Sequence, residues 1–337
     1  MKQIKNFHKQ IPKKEYLNSY NFARRSNKVF AETISPNQFK ELNLLDGSYE
    51  IYQQNDKYLT YRLKKIDIQD GDIIFCKTDF IFELFCILSR ISKKINITLI
   101  THQAAQPSIG KSLFLMKPKC IQNWFSINVN YNHPNLIPIP LGISNDYSSV
   151  GLKIDGFKSM VNKLDFQKDK LAYLNFSSKN NFEKRKKIIN SYENQTWVHK
   201  NFDTSEYLYM EEVANSKYIF TPPGWGIDTH RFWEALYLGS IPIVEHSINT
   251  SMFKIYPILI YDTNKLITGN ELLNKYENLF SSFDFDKLTV SWWFTNIIQS
   301  TNKSSDNSIS LKYTFGHKVL KRILKIKYKF IKLIHGQ

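Results

Sequence analysis

The stretch YIFTPPGWGIDTHRFWEALYLGSIPIVEHS, residues 218–247, decides the fold predicted for this chain. Tyr218–Phe220 and Ile241–Val244 are short apolar runs of the kind found in strands buried on both faces. A loop with Pro222, Pro223, Gly224 and Gly226 separates the first run from a helical pattern. The order strand, glycine loop, helix and strand predicts a unit of a parallel α/β protein.

The helix of this unit is predicted to begin near Asp228 or Thr229, because both side chains can cap free N–H groups at a helix N-terminus. Gly239 is placed to end it. Such a helix start, preceded by glycines that allow close approach to the backbone, favours binding of an anion.

Arg231 lies in the first turn of this predicted helix, where a cation is unfavourable unless an anion sits in front of it. Its guanidinium suits a diphosphate. Glu234, three residues later on the same face, can accept hydrogen bonds from two vicinal hydroxyls, as on a ribose. The alternative, an Arg231–Glu234 ion pair on a solvated surface, stays open from the sequence alone.

The run FTPPGWGIDTHRFWEALYLGSIPIV resembles the nucleotide-sugar segment of exostosin-like glycosyltransferases and, more distantly, of bacterial fucosyltransferases. The resemblance implies an α/β fold of two Rossmann-like domains facing across a cleft (GT-B), with Arg231 on the donor diphosphate and Glu234 near the ribose. It covers about thirty residues. The donor-binding residues predicted within this motif are Gly224, Trp225, Gly226, Asp228, His230, Arg231 and Glu234, with His230 against the phosphate or the sugar.

A second phosphate contact is predicted where the strand Leu171–Phe176 runs into Ser177 and the basic helix Phe182–Asn190. In the resembled family an arginine after this strand helps to bind donor phosphate, which makes Arg185 a candidate together with Ser177. A solvated helix face is the alternative, and it is favoured for the neighbouring lysines.

The domain boundaries follow from changes in pattern along the chain. Residues 72–102 show a strand–helix–strand pattern, so residues 1–150 are predicted to form a Rossmann-like acceptor domain. Residues 151–170 are predicted to be a linker, 171–300 the nucleotide-sugar domain, and 301–337 a tail. Residues 1–45 are polar and basic, and they are expected to be irregular.

The catalytic base of an inverting transfer should come from the end of a strand in the first domain. His102, directly after the strand ending in Thr101, is the first candidate, and Asp79 is the second. Asn128 and Asn145 are candidates for the acceptor side. A structural role is the alternative for each of these residues.

The net charge of +16 is concentrated at the two ends of the chain. Residues 1–30 carry +7 and residues 311–337 carry +8, which leaves +1 for the rest. This distribution argues against a nucleic-acid surface on the body of the fold. Residues 318–334 combine an apolar stripe with seven Lys/Arg, which predicts a basic amphipathic helix on an anionic membrane surface or, alternatively, one packed on the protein.

Three cysteines in apolar contexts and the lack of an apolar leader favour a cytoplasmic protein, peripheral to the inner face of the membrane. No metal site and no cofactor are predicted, because the D-x-D motif at Asp284–Asp286 lies in a loop-like segment. We therefore expect sugar transfer from a nucleotide-sugar to a glycan or lipid-linked acceptor, as in bacterial capsule or lipopolysaccharide synthesis. A non-catalytic protein that binds a nucleotide sugar or a polysaccharide, and a nucleic-acid-binding protein, remain alternatives.

Overall fold

The computed structural model describes residues 2–91, 94–104, 106, 108–149, 151–202, 205–262, 265–281, 283–298 and 305–335. The chain has a mixed α/β fold, as predicted, and divides into two compact units. Unit 1 consists of Met1–Asn18, Pro140–Ser144 and Ser148–Trp292. Unit 2 consists of Ser19–Ile139, Asn145–Tyr147 and Trp293–Gln337.

The strands are β1 Lys28–Ile34, β2 Tyr49–Gln54, β3 Leu59–Leu63, β4 Lys65–Gln69, β5 Ile73–Lys77, β6 Ile97–His102, β7 Ile121–Ser126, β8 Leu136–Pro138, β9 Lys170–Leu174, β10 Val198–Lys200, β11 Ser216–Phe220, β12 Ile241–Glu245, β13 Leu259–Tyr261 and β14 Ser308–Lys312.

The helices are α1 Lys2–Gln10, α2 Ser19–Arg25, α3 Pro36–Glu41, α4 Ile81–Leu88, α5 Lys111–Leu115, α6 Ile154–Val161, α7 Phe182–Tyr192, α8 Glu206–Asn215, α9 His230–Tyr237, α10 Ile248–Met252, α11 Gly269–Leu273, α12 Tyr276–Phe280, α13 Val290–Asn296 and α14 Phe315–His335. Among the described helices, none is both long enough and apolar enough to cross a membrane.

Unit 2 is built on a seven-stranded sheet in the order β2-β3-β1-β5-β6-β7-β8. The five strands from β1 to β8 in this order are parallel, and β3 and β2 extend the sheet in antiparallel fashion. The side chains of β6 are buried on both faces of the strand, which is the environment of an inner parallel strand. The predicted strand–helix–strand pattern at residues 72–102 is confirmed.

The expectation that residues 1–45 are irregular is wrong, since they contain three helices and the strand β1, which lies inside the sheet. Glu32 interrupts the apolar pattern of β1 and is fully buried. Its carboxylate is ion-paired with Arg24 and accepts a hydrogen bond from the Tyr61 hydroxyl at 2.7 Å. A buried charge that is paired in this way is tolerated in a strand, but its partners are distant in sequence.

Unit 1 is built on a five-stranded parallel sheet in the order β10-β9-β11-β12-β13. The apolar side chains of α7, α11 and α12 pack against one face of this sheet. The strand, helix and strand predicted from residues 218–247 are confirmed as β11, α9 and β12. Gly239 ends α9 with a φ of +68°, a left-handed conformation that favours glycine.

The first 18 residues belong to unit 1, so the two units do not follow the predicted boundary at residue 150. His8 is buried, with Nδ1 bonded to the Tyr16 hydroxyl and Nε2 donating to the Tyr237 carbonyl, both at 2.8 Å. A side chain at Gly239 would overlap with Ile4. These contacts fix α1 against the end of α9.

The predicted linker at residues 151–170 contains α6, whose Phe157 is fully buried and packs against the His8 ring. The same segment contains Lys168, which is 4% exposed. Its ammonium donates to the Ser216 and Leu238 carbonyls, both at 2.9 Å, and to the Ser240 hydroxyl at 2.7 Å. Lys168 therefore joins the start of β11 to the end of α9 inside unit 1.

Candidate functional site

The sheet of unit 1 changes winding direction between β9 and β11. From β9 the chain continues to β10 on one side, and from β11 it continues to β12 on the other side. In open parallel sheets, ligands bind outside the carboxyl ends of the strands at such a switch point. The loops that follow β9 and β11 therefore form the candidate site.

The loop after β11 is tight and glycine-dependent. The Thr221 hydroxyl donates to the Ile243 carbonyl at 3.0 Å, and the Gly224 N–H donates to the Gly226 carbonyl at 3.0 Å. A Cβ at position 224 would lie 2.8 Å from a terminal nitrogen of Arg185. The close approach predicted for this glycine is therefore made by an arginine of the same unit. Trp225 at the loop tip is 70% exposed.

Arg185 of α7 connects the two loops of the switch point. Its Nε donates to the Pro223 carbonyl at 2.9 Å and its Nη1 to the Ser177 carbonyl at 2.8 Å. Burial, and secondarily the nearby charge of Arg231, lower the pKa of Arg185 to about 10. In this structure Arg185 and Ser177 shape the site through backbone bonds, and direct contact with donor phosphate stays a prediction.

Arg231 follows the N-terminal residue of α9 and is partly buried. Its Nε is buried without a hydrogen-bond partner among the described residues. The guanidinium carbon lies 5.6 Å from the centre of the Tyr209 ring. Thr229 is the N-cap, but its side chain forms no capping bond, so the expected side-chain cap is not formed. The helix start thus keeps N–H groups and a guanidinium for an anion.

Glu234 is 3% exposed, and both of its carboxylate oxygens are engaged within unit 1. Oε1 accepts from the Leu152 N–H at 3.0 Å, and Oε2 accepts from the Tyr209 hydroxyl at 2.8 Å. The alternative of a solvated Arg231–Glu234 ion pair is therefore wrong. Glu234 positions α8 and residue 152 around α9, and its contact with a ribose stays a prediction.

Asp228 and His230 hold residues 141 and 142 against the start of α9. Asp228 is buried, and its carboxylate accepts from the N–H groups of Thr229 and Leu141 and from the Trp233 indole, at 2.7, 2.9 and 2.8 Å. His230 Nδ1 donates to the Gly142 carbonyl at 2.6 Å, and burial lowers the pKa of this histidine. In this structure both residues position the start of α9 through contacts with the backbone at residues 141 and 142.

We expect Asp228→Asn to lower the free energy of unfolding by about 1–3 kcal/mol, because an amide has one acceptor oxygen and its NH₂ group would face an N–H donor. Urea denaturation measures the change. Asp155→Asn is the matched control, since Asp155 is exposed and pairs with the exposed Lys13. Equal stability of the two variants would contradict the role assigned to Asp228.

Burial also raises the pKa of Asp228 to about 7. The folded protein then retains a proton that the unfolded chain loses near pH ~4. The free energy of unfolding should therefore fall as pH rises from about 4 to about 7, and Asp228→Asn should remove this part of the pH dependence.

The catalytic candidates lie in unit 2, at the ends of the neighbouring strands β5 and β6. His102 is 1% exposed, and its Nδ1 accepts from the Gln103 N–H at 2.8 Å. The Asp79 side chain is 48% exposed and is ion-paired with Lys77. Asp79 is thus the more accessible of the two candidates, and a catalytic role for either stays a prediction.

The acceptor candidates of unit 2 also follow its strands. Asn128, shortly after β7, is buried and has a left-handed backbone with a φ of +56°. Its carbonyl accepts from the Ile109 N–H at 3.0 Å. The Asn145 side chain accepts from the Ser19 hydroxyl at 2.7 Å. These contacts are structural, and acceptor binding by either asparagine stays a prediction.

Sequence reasoning missed Tyr209 and Lys168. Tyr209 contacts both Arg231 and Glu234, although it lies in an ordinary-looking helical segment. Lys168 lies in a polar run that gives no sign of burial. Within the described ranges, no three His, Cys, Asp or Glu side chains come together as a metal site. The independence from metal stays a prediction.

Residues 167–256 match the family model described as the RXYLT1 C-terminal domain. The match supports a glycosyltransferase family related to the exostosin-like enzymes. The matched range runs from before β9 to α10, so it contains both loops of the switch point together with Arg185, Arg231 and Glu234. It covers about a quarter of the chain. No curated protein matches the chain.

Proposed function

We propose that the protein transfers a sugar from a nucleotide-sugar donor to a glycan or lipid-linked acceptor, and that the donor diphosphate binds at the switch point of unit 1. The bacterial setting, in capsule or lipopolysaccharide synthesis, is part of this proposal. The proposed sugar transfer rests on the resemblance to exostosin-like enzymes and on the matched domain.

The observation that carries the proposal is the pair of arginines at the switch point. Arg185 and Arg231 are close enough for the charge of one to lower the pKa of the other. Neither has a carboxylate partner among the described residues, and the Arg231 Nε is buried without a hydrogen bond. Two neighbouring cations repel each other, and a dianionic group in front of α9 would offset that repulsion.

The architecture around the site suits a leaving group that departs as a nucleoside diphosphate. Hydrogen-bond donors fixed before the reaction stabilise charge as it develops, without further reorganisation. Arg185 fixes the loops through three backbone carbonyls, and Glu234 and Asp228 fix the elements behind Arg231. In the proposed GT-B arrangement, unit 2 supplies the acceptor side, and Asp79 or His102 accepts the proton of the attacking hydroxyl.

A panel of nucleotide sugars, with the free nucleoside diphosphates, tests the proposal by thermal stabilisation. A ligand at a hundredfold excess over Kd should stabilise the fold by about 2.7 kcal/mol. The donor found in this way should release its nucleoside diphosphate when acceptor glycans are added, equally with and without EDTA.

Three outcomes of this panel would count against parts of the proposal. If no nucleotide or nucleotide sugar stabilises the protein, the donor site is wrong. Stabilisation without turnover on any acceptor would favour the alternative of a non-catalytic nucleotide-sugar-binding protein. Turnover that is abolished by EDTA would contradict the metal-independent reaction.

A further inference from the structure

The C-terminal helix α14 has one face that packs on unit 2. It contacts α4 and α5. The half-buried Tyr328 lies against the Phe82 ring with ring centres 5.6 Å apart, and the Lys321 ammonium donates to the buried Glu83 carboxylate at 2.7 Å. Leu320 and Leu324 are half-buried on this same face. These contacts therefore fix the orientation of α14 about its own axis relative to unit 2.

A second face of α14 is apolar and exposed. At about 100° per residue, its centre lies roughly 150° around the axis from the packed face. Its members are between 49% and 82% exposed: Phe315, Val319, Ile323, Ile326, Phe330, Leu333 and Ile334. An unbroken exposed apolar stripe of this length marks a surface that is covered by a partner.

A third face, beside the apolar stripe, carries exposed cations. Lys318, Arg322, Lys325 and Lys329 lie along one flank of the stripe, and Lys327 lies on the other. Residues 311–337 contain eight Lys/Arg and no acidic residue. A second copy of this face would bring like charges together, whereas an anionic surface would pair with all of them.

We propose that this face of α14 is a docking surface for an anionic lipid bilayer. The helix would lie in the plane of the interface, with the apolar stripe inserted among the acyl chains and the lysines extending to the headgroups. Phe330 and Ile326, near the middle of the stripe, would enter the bilayer, and Arg322, Lys325 and Lys329 would contact lipid phosphates. This inference does not depend on the proposed sugar transfer.

Flotation of the full-length protein with vesicles tests the proposal. The vesicles are phosphatidylcholine alone and phosphatidylcholine mixed with phosphatidylglycerol. The apolar variant Ile326→Ser/Phe330→Ser/Leu333→Ser and the charge variant Arg322→Gln/Lys325→Gln/Lys329→Gln should each reduce binding to the anionic vesicles by about tenfold or more. The control Leu45→Ser/Leu266→Ser/Leu273→Ser changes equally exposed apolar residues elsewhere and should bind like the unaltered protein.

All of the substituted side chains are exposed, so equal melting temperatures are expected for the variants. Unchanged binding of the apolar variant, or equal binding of the unaltered protein to neutral and anionic vesicles, would overturn the proposal. Sedimentation of the protein without lipid tests the alternative that a second copy of the chain covers this face. A dimer that the apolar variant dissociates would show that a second copy covers this face, and would also overturn it.

Discussion

Replacing Arg231 by alanine is expected to lower kcat/KM for the nucleotide-sugar donor about a hundredfold or more, with little change in melting temperature. The Arg231 Nε forms no hydrogen bond within the described part of the protein, and the alanine variant gives up mainly the stacking of the guanidinium on the Tyr209 ring. The guanidinium therefore contributes little to the fold, and its charge and N–H donors remain available to the proposed donor diphosphate.

Arg231→Lys separates charge from geometry, because lysine keeps the cation but lacks the two-pronged donor set. We expect it to recover only part of the activity that Arg231→Ala removes. Lys186→Ala removes one positive charge from the exposed face of α7 and is the matched control, expected to behave like the unaltered protein. Near-normal donor kinetics for Arg231→Ala would refute the diphosphate site, and a comparable decrease in Lys186→Ala would show an unspecific charge effect.

Lys168→Met is expected to have the largest effect on stability, lowering the free energy of unfolding by about 3 kcal/mol. Methionine is similar in length but cannot donate to the Ser216 and Leu238 carbonyls or to the Ser240 hydroxyl. The Leu238 carbonyl at the end of α9 would then lose a buried partner. Urea denaturation measures the decrease in the free energy of unfolding, and calorimetry then measures the heat of unfolding.

The control for this change is Lys163→Met, which makes the same substitution at an exposed position of the same segment. It should leave stability within about 0.5 kcal/mol of the unaltered protein. If Lys168→Met left the free energy of unfolding equally unchanged, the hydrogen bonds of the buried ammonium would not stabilise the connection between β11 and α9.

The part of the fold that could be predicted is the part whose signals are local. Residues 218–247 contain two apolar runs, a proline–glycine loop and a terminating glycine, and each signal acts within a few residues. The same holds for β5 and β6.

The parts that could not be predicted depend on partners far away in sequence. The strand β14 lies in the segment 301–337 that is predicted to be a tail, and it is a strand because it pairs with β4, about 240 residues earlier. Glu234 presents the same difficulty at the site. Its spacing from Arg231 places it on the right face of the helix, but its bonds to Leu152 and Tyr209 depend on tertiary structure.

The placement of α1 in unit 1 has a consequence for how the chain matures on the ribosome. Ile4 and His8 pack against the end of α9, and unit 1 ends at Trp292. At about 5–20 residues per second, roughly 15–60 s pass between the emergence of α1 and the completion of its docking surface. In that interval the seven-stranded sheet of unit 2, whose last strand ends at Pro138, can form first, before residues 293–337 of that unit are made. A nascent chain paused before residue 230 would therefore expose α1 to proteases and chaperones, and completion of unit 1 would hide it.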